Sequence, residues 1–189
     1  QRWYEYKTST NHTGKFLSPP KAGHMPSYNN GKFTFLSTSC ILPRFPYNPL
    51  DHGLAIPGLR HLANKLPDLG AQFMLFLGDF IYVDVPERFG KSVDEYRMQY
   101  RQVYASPDWA PVGQNLSWIH VLDDHEISND WSSQDSGLYK TALEPWEIYQ
   151  GAGNPPKAIQ AGSHSKRRTK ATWYDFVQGP ASFFLMDTR

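Results

Sequence analysis

The stretch AQFMLFLGDFIYVD, residues 71–84, decides how the chain is read. Phe73 to Leu77 form an apolar run without polar alternation, as in a strand buried on both faces. The run stops at Gly78 and delivers an acid, Asp79; Tyr82 follows three residues later and Asp84 two after that. A strand ending on a solvated turn fits this pattern, and so does a strand presenting ligands to a metal.

Working outward, KFTFLSTSC (32–40) alternates apolar and polar residues and predicts a half-buried strand. Between the two strands, GLAIPGLRHLANKLPDLG (53–70) places Leu59, Leu62, Ala63 and Leu66 at helical spacing before Pro67 and Gly70. SVDEYRMQYRQVYAS (92–106) predicts a second helix, with Ser92 as cap and Glu95 three residues on. SWIHVLDDHE (117–126) is a third short apolar run ending in acids. SGLYKTALEPWEIYQG (136–151) predicts a helix broken near Pro145. ATWYDFVQG and ASFFLMDTR predict two strands joined at Gly179-Pro180. Alternation of this kind is that of an α/β layered fold, with helices covering a sheet.

Residues 1–31 are polar and rich in Ser, Asn, Gly and Pro, which predicts an extended arm; residues 32–189 carry the domain. A terminal strand tipped by Asp187 and Arg189 predicts that more chain follows. With 40% apolar and 15% aromatic residues the 189-residue chain has material for a core, so bulk disorder is excluded. Nineteen Lys and Arg against 18 Asp and Glu give a net charge of +1, which offers no field for nucleic acid or an anionic membrane. No run reaches the roughly 18 apolar residues of a membrane span. The single cysteine, Cys40, excludes an intrachain disulfide. Two acceptor sequons, Asn11-His12-Thr13 and Asn115-Leu116-Ser117, point toward a secretory, extracellular or cell-surface setting. The basic segment GAGNPPKAIQAGSHSKRRTK (151–170), with Lys166, Arg167, Arg168 and Lys170, reads as a solvated loop or a substrate-facing lid.

The strand ends share a chemical character: Cys40; Asp79 with Tyr82; Asp123-Asp124-His125-Glu126; Asp187 and Arg189. In open α/β sheets the loops at the carboxyl ends of strands line the ligand crevice, so these side chains are placed to converge. Singly, each has a plain explanation: Cys40 as apolar filler, Asp79 as a turn acid, Tyr82 as a core ring. Consecutive acids at the end of a buried strand, however, need a cation or donors to offset their burial. Thiolate, carboxylate and phenol together suit iron better than magnesium, because only a hard, highly charged cation readily takes the phenol proton. His125 is a ligand or a general acid, its pKa raised by Asp124 and Glu126; Arg189 offers a fork to phosphate. Metal, acid and fork describe phosphoryl transfer to water.

STSC, FLGDFIYVD, VLDDHEISNDW and FFLMDTR, in that order, resemble the alkaline phosphatase D-type (PhoD-like) metallophosphoesterases, and SCILPRFPYNPLDHGLAIPGLRHLA resembles the fungal members. The resemblance implies a four-layer αββα sandwich with mixed sheets, of which this chain supplies the amino-terminal part. It implies a centre of ferric iron with calcium, in which Cys40 and Tyr82 are iron ligands and Asp79 bridges the metals. Asp124 then stands at a metal-binding position and His125 on the substrate side, with Arg189 as a second catalytic group; Asp123 and Asn129 are less firmly placed. Further ligands lie downstream of DTR in the family, so the carboxyl-terminal part of the same precursor is an expected partner. The implied activity is metal-dependent hydrolysis of phosphate monoesters or diesters. The alternative is a secreted or cell-surface binding or structural protein that keeps the fold with an incomplete site.

Overall fold

The computed structural model describes residues 1–45, 47–85, 90–155 and 172–189. Its centre is a three-stranded parallel sheet in the order β3 (Leu36–Thr38), β4 (Phe73–Phe76), β5 (Ser117–His120). Leu36 pairs with Met74, and Met74 with Trp118. The first crossover carries α1 (Pro57–Leu69); the second carries α2 (Val93–Tyr104) and the short α3 (Ala110–Gly113). Pro57 starts α1 with its φ already helical and no N–H to leave unpaired. Gly70 ends it at φ +59°, where an added Cβ would lie 2.3 Å from the Asn29 side chain. The predicted capping box is present: the Ser92 hydroxyl accepts from the Glu95 N–H, and the Glu95 carboxylate accepts from the Ser92 N–H at 2.8 Å.

Alternation along β4 sends its side chains to two different cores. Met74 and Phe76 join Leu59 of α1 and Tyr96, Tyr100 and Val103 of α2. Phe73 and Leu75 join Ile119 and the antiparallel hairpin β6 (Tyr174–Gln178) and β7 (Ala181–Leu185). There Phe176 stacks on its cross-strand partner Phe183 with ring centres 4.8 Å apart, and Phe183 meets Phe73 edge to face at 5.6 Å. Aromatic pairs of this kind contribute about 0.5–1.5 kcal/mol each beyond their burial. A helical layer, a parallel sheet and a facing antiparallel sheet are thus stacked in order, the mixed α/β architecture the sequence predicts.

Three local readings change. Only Leu36–Thr38 of the predicted 32–40 strand is paired; Phe33 and Phe35 instead turn toward Phe73. The helix expected to break at Pro145 runs unbroken as α4 (Tyr139–Tyr149), because Ala142, Pro145 and Trp146 are buried on one face and α4 packs on α2. Burial of that face outweighs the roughly 3 kcal/mol that an interior proline costs a helix. Within residues 1–31, the antiparallel pair β1 (Trp3–Lys7) and β2 (Thr13–Leu17) forms, with Tyr4 stacked on Phe16 at 5.4 Å. Its polar composition conceals a five-pair hairpin that carries one stacked cross-strand aromatic pair. Among the described residues no helix is long and apolar enough to cross a membrane. The basic segment with Lys166, Arg167, Arg168 and Lys170 lies outside the described residues.

Candidate metal centre

The three parallel strands end side by side, and backbone hydrogen bonds lock their exits together. The Cys40 N–H donates to Gly78 O at 3.2 Å and the Ile41 N–H to Asp79 O at 3.0 Å. Gly78 (φ +96°) passes so close to the loop after β5 that an added Cβ would lie 2.3 Å from the Asp123 Cβ. Cys40 (φ 62°) and Asp79 (φ 58°) are both held in left-handed backbone. For residues with a Cβ this costs about 1–3 kcal/mol each, and such strain persists where the surroundings over-determine it.

That backbone turns both side chains inward. The Cys40 thiol and the Tyr82 hydroxyl each lie 3.2 Å from Asp79 Oδ2. Asp79 Oδ1 is buried without a hydrogen-bond partner, and Cys40 is exposed rather than packed as apolar filler. Asp79, Asp124 and His125 bring ligand atoms within 4.8 Å of one another. A thiol, a phenol, two carboxylates and an imidazole are therefore gathered at one sheet edge, with a buried acceptor atom still unpaired. Burial first, then the Cys40 and Asp79 neighbours, push the Tyr82 hydroxyl well above its ordinary range. Only a strongly charged cation would take its proton. The donor set fits a metal.

The sequence of the domain points the same way. Residues 35–189 match the sequence model of the PhoD-like phosphatases. The chain belongs to this family. A solved structure titled "Structure of PhoD" shares the fold with a TM-score of 0.62 at 21% identity, over 99% of this chain and 37% of that one. The chain therefore spans little more than a third of the length of that PhoD chain. No curated protein matches it.

Within this PhoD-like site the tandem acids after β5 have separate partners. Asp123 Oδ1 accepts from Arg189 Nε at 2.6 Å, while Asp124 Oδ2 accepts from the Asp130 N–H at 2.6 Å. Arg189 also lies 3.5 Å from Asp124 through Nη2. Asp123 is thus in an ion pair, and the Asn129 side chain donates to Asp130 at 2.8 Å. Asp187 binds the Arg189 N–H at 2.9 Å and the Thr172 hydroxyl, at the rim of the cluster.

Two residues carry more of the site than their sequence context suggests. Glu126, fully buried, accepts the N–H groups of Asp79 at 3.1 Å, Phe80 at 2.6 Å and Asp123 at 2.8 Å, so one carboxylate clasps the exits of β4 and β5. Burial lifts its pKa to about 7 against the pull of those three donors. Asp84 lies 2.8 Å from His125 Nδ1 and also accepts the Asn129 N–H. Of the two acids expected to raise the His125 pKa, Asp124 does contribute, whereas Glu126 faces away into the clasp and Asp84 takes its place. Burial lowers the His125 pKa, but the Asp84 hydrogen bond and the charges of Asp84, Asp79 and Asp124 together raise it above its ordinary value. The signal for Asp84 was its position two residues after Tyr82 on the same loop, and no periodicity rule points to it.

Proposed function

We propose that the protein is a metal-dependent phosphoesterase that hydrolyses phosphate monoesters or diesters with water. The observation that carries this reading is the convergence of Cys40, Tyr82 and Asp124 around the half-unpaired Asp79 carboxylate. Cys40, Asp79, Tyr82 and Asp124 would hold ferric iron with calcium beside it, a hard pair suited to oxygen donors with one thiolate. When bound, these ions supply an acidified water and positive charge toward phosphate oxygens.

The chain's own groups do the rest. With Nδ1 engaged by Asp84, His125 keeps Nε2 for giving a proton to the leaving oxygen, and its raised pKa favours the protonated form. The Arg189 guanidinium holds Asp123 through Nε and Nη2, which leaves Nη1 for a non-bridging phosphate oxygen. Asp123 fixes the plane of that fork. Glu126 keeps the two acid-bearing loops in register.

The same proposal places the protein in the secretory pathway. Asn11 lies in the connection between β1 and β2 and Asn115 in the turn before β5, and both are exposed as acceptor sites must be. A glycosidase-sensitive mass on protein secreted from a eukaryotic host supports this; an unmodified chain counts against it. For the activity, full-length protein is assayed on p-nitrophenyl phosphate before and after chelation, and again with iron and calcium restored. Loss and recovery of hydrolysis are expected. Unchanged hydrolysis in chelator would contradict the metal-dependent reading.

A further inference from the structure

The sequon Asn115-Leu116-Ser117 stands in the wall of a cavity of about 500 Å³ between the β1–β2 hairpin and the α1 side of the domain, and all three of its residues line that cavity. Trp3 and Tyr28 line it too; their ring centres are 5.9 Å apart, and they are left 49% and 52% exposed. Lys15 reaches over the Trp3 ring, with Nζ 5.5 Å from the ring centre. Asn115 is exposed, and its Nδ2 donates to Pro111 O at 3.5 Å on the same wall. That bond uses one of the two Nδ2 hydrogens and leaves the other.

The hairpin has little else to hold it. Every residue of β1 is exposed, and among the described residues the hairpin makes one hydrogen bond to the domain beyond residue 31, from the Tyr6 hydroxyl to Gln114 O at 3.1 Å. A two-stranded hairpin is marginal in water by itself, so whatever fills the gap beneath it decides how firmly it docks. The first sugar of an N-linked glycan, N-acetylglucosamine, presents C–H groups on its ring face and hydroxyl and acetamido groups at its edge. The C–H face complements the negative face of an indole or phenol ring, and the edge offers acceptors to the Lys15 ammonium. Asn11 supplies an internal contrast: it heads the other sequon but is not among the residues of the cavity wall.

We propose that Asn115 carries an N-linked glycan whose first sugar packs in this cavity against Trp3 and Tyr28 and clamps the hairpin to the domain. In the transfer, Asn115 Nδ2 bonds to the anomeric carbon of a lipid-linked diphospho-oligosaccharide. The bond from that carbon to the diphosphate oxygen breaks, its electron pair leaves with the diphosphate, and Nδ2 gives up one proton. The inference rests on the secretory reading above and is independent of the phosphoesterase reading.

The test uses full-length protein secreted from a eukaryotic host, with glycopeptide masses read at Asn11 and Asn115 and the rate of tryptic cleavage after Lys15 as the measure of hairpin opening. Ser117→Ala removes the sequon and keeps Asn115. It is expected to speed cleavage about fivefold, because cleavage follows the population of the open hairpin. An endoglycosidase that leaves a single N-acetylglucosamine on Asn115 should keep the slow rate. In a Trp3→Ala background, chains with and without Ser117→Ala should be cleaved at the same rate. An unmodified Asn115 would overturn the inference, as would equal rates for wild type and Ser117→Ala. Protection that disappears on trimming to one sugar, or that persists without Trp3, would assign the effect to the outer glycan shielding the hairpin from solvent and overturn it as well. If Asn11 is modified and Asn115 bare, only this inference falls; if both are bare, the secretory reading falls with it.

Discussion

The two ends of the parallel sheet differ in nearly every physical respect. At the amino-terminal ends of the strands, the β1–β2 hairpin roofs a cavity of about 500 Å³, walled by Trp3, Phe16, Tyr28 and Leu66. It contains no cluster of acids. At the carboxyl-terminal ends the neighbouring cavity is less than half that size, yet Cys40, Asp79, Tyr82, Asp124 and His125 crowd one edge, two of them on left-handed backbone. Room and chemistry are on opposite sides. Cavity volume therefore misleads here, and the density of constrained polar groups is the better guide to the site.

Substitutions at the two ends should differ by orders of magnitude. His125→Ala is expected to lower turnover about 10²–10⁴-fold with little change in metal content, the range for a general acid. Loss of metal instead would make His125 a ligand. Next comes Glu126→Gln, which sets an NH2 group against backbone N–H donors; about 1–3 kcal/mol of stability should be lost, with weaker metal retention. Chemical denaturation and elemental analysis read both, and an unchanged midpoint would remove the clasp. Trp3→Ala, on the opposite end, should cost less than about 1 kcal/mol and leave kcat untouched, since Trp3 is half exposed. A large activity loss from Trp3→Ala would erase the contrast.

His120 supplies a pH test between these extremes. It is buried among Phe76, Phe80 and Trp118, and burial pushes its pKa down to about 3. The unfolded chain binds a proton near the ordinary histidine pKa while the folded chain does not. Stability should therefore be complete above about pH 6.5 and fall as the pH drops toward 3, by at most about 1.4 kcal/mol per pH unit from this group. His120→Phe should flatten that part of the profile. An unaltered slope would mean that His120 is protonated in the fold.

Much of this organisation was legible in the sequence because it is local. The β4 run, the Ser92–Glu95 box and the Gly179-Pro180 hairpin each depend on residues within a few positions of one another. The site was legible in part, since strand ends of a parallel sheet converge by topology, and Cys40, Asp79, Tyr82, Asp124 and His125 do meet. What could not be read was pairing across the loops: which acid faces His125, that Arg189 holds Asp123, and that Glu126 turns inward. Those are contacts between residues more than 40 positions apart, set by how the loops pack, which local sequence patterns do not predict. Pro145 was misread for a related reason, as tertiary burial of α4 overrode a local breaker.

The most direct measurement is elemental analysis of the full-length protein, paired with its visible spectrum, for the wild type and Tyr82→Phe. With Tyr82 and Cys40 on ferric iron, the wild type should carry about one iron per chain and a phenolate charge-transfer band that Tyr82→Phe abolishes. A wild type free of iron after metal-replete preparation, or a Tyr82→Phe protein that keeps the band, would contradict the placement of the metal at the Asp79 edge.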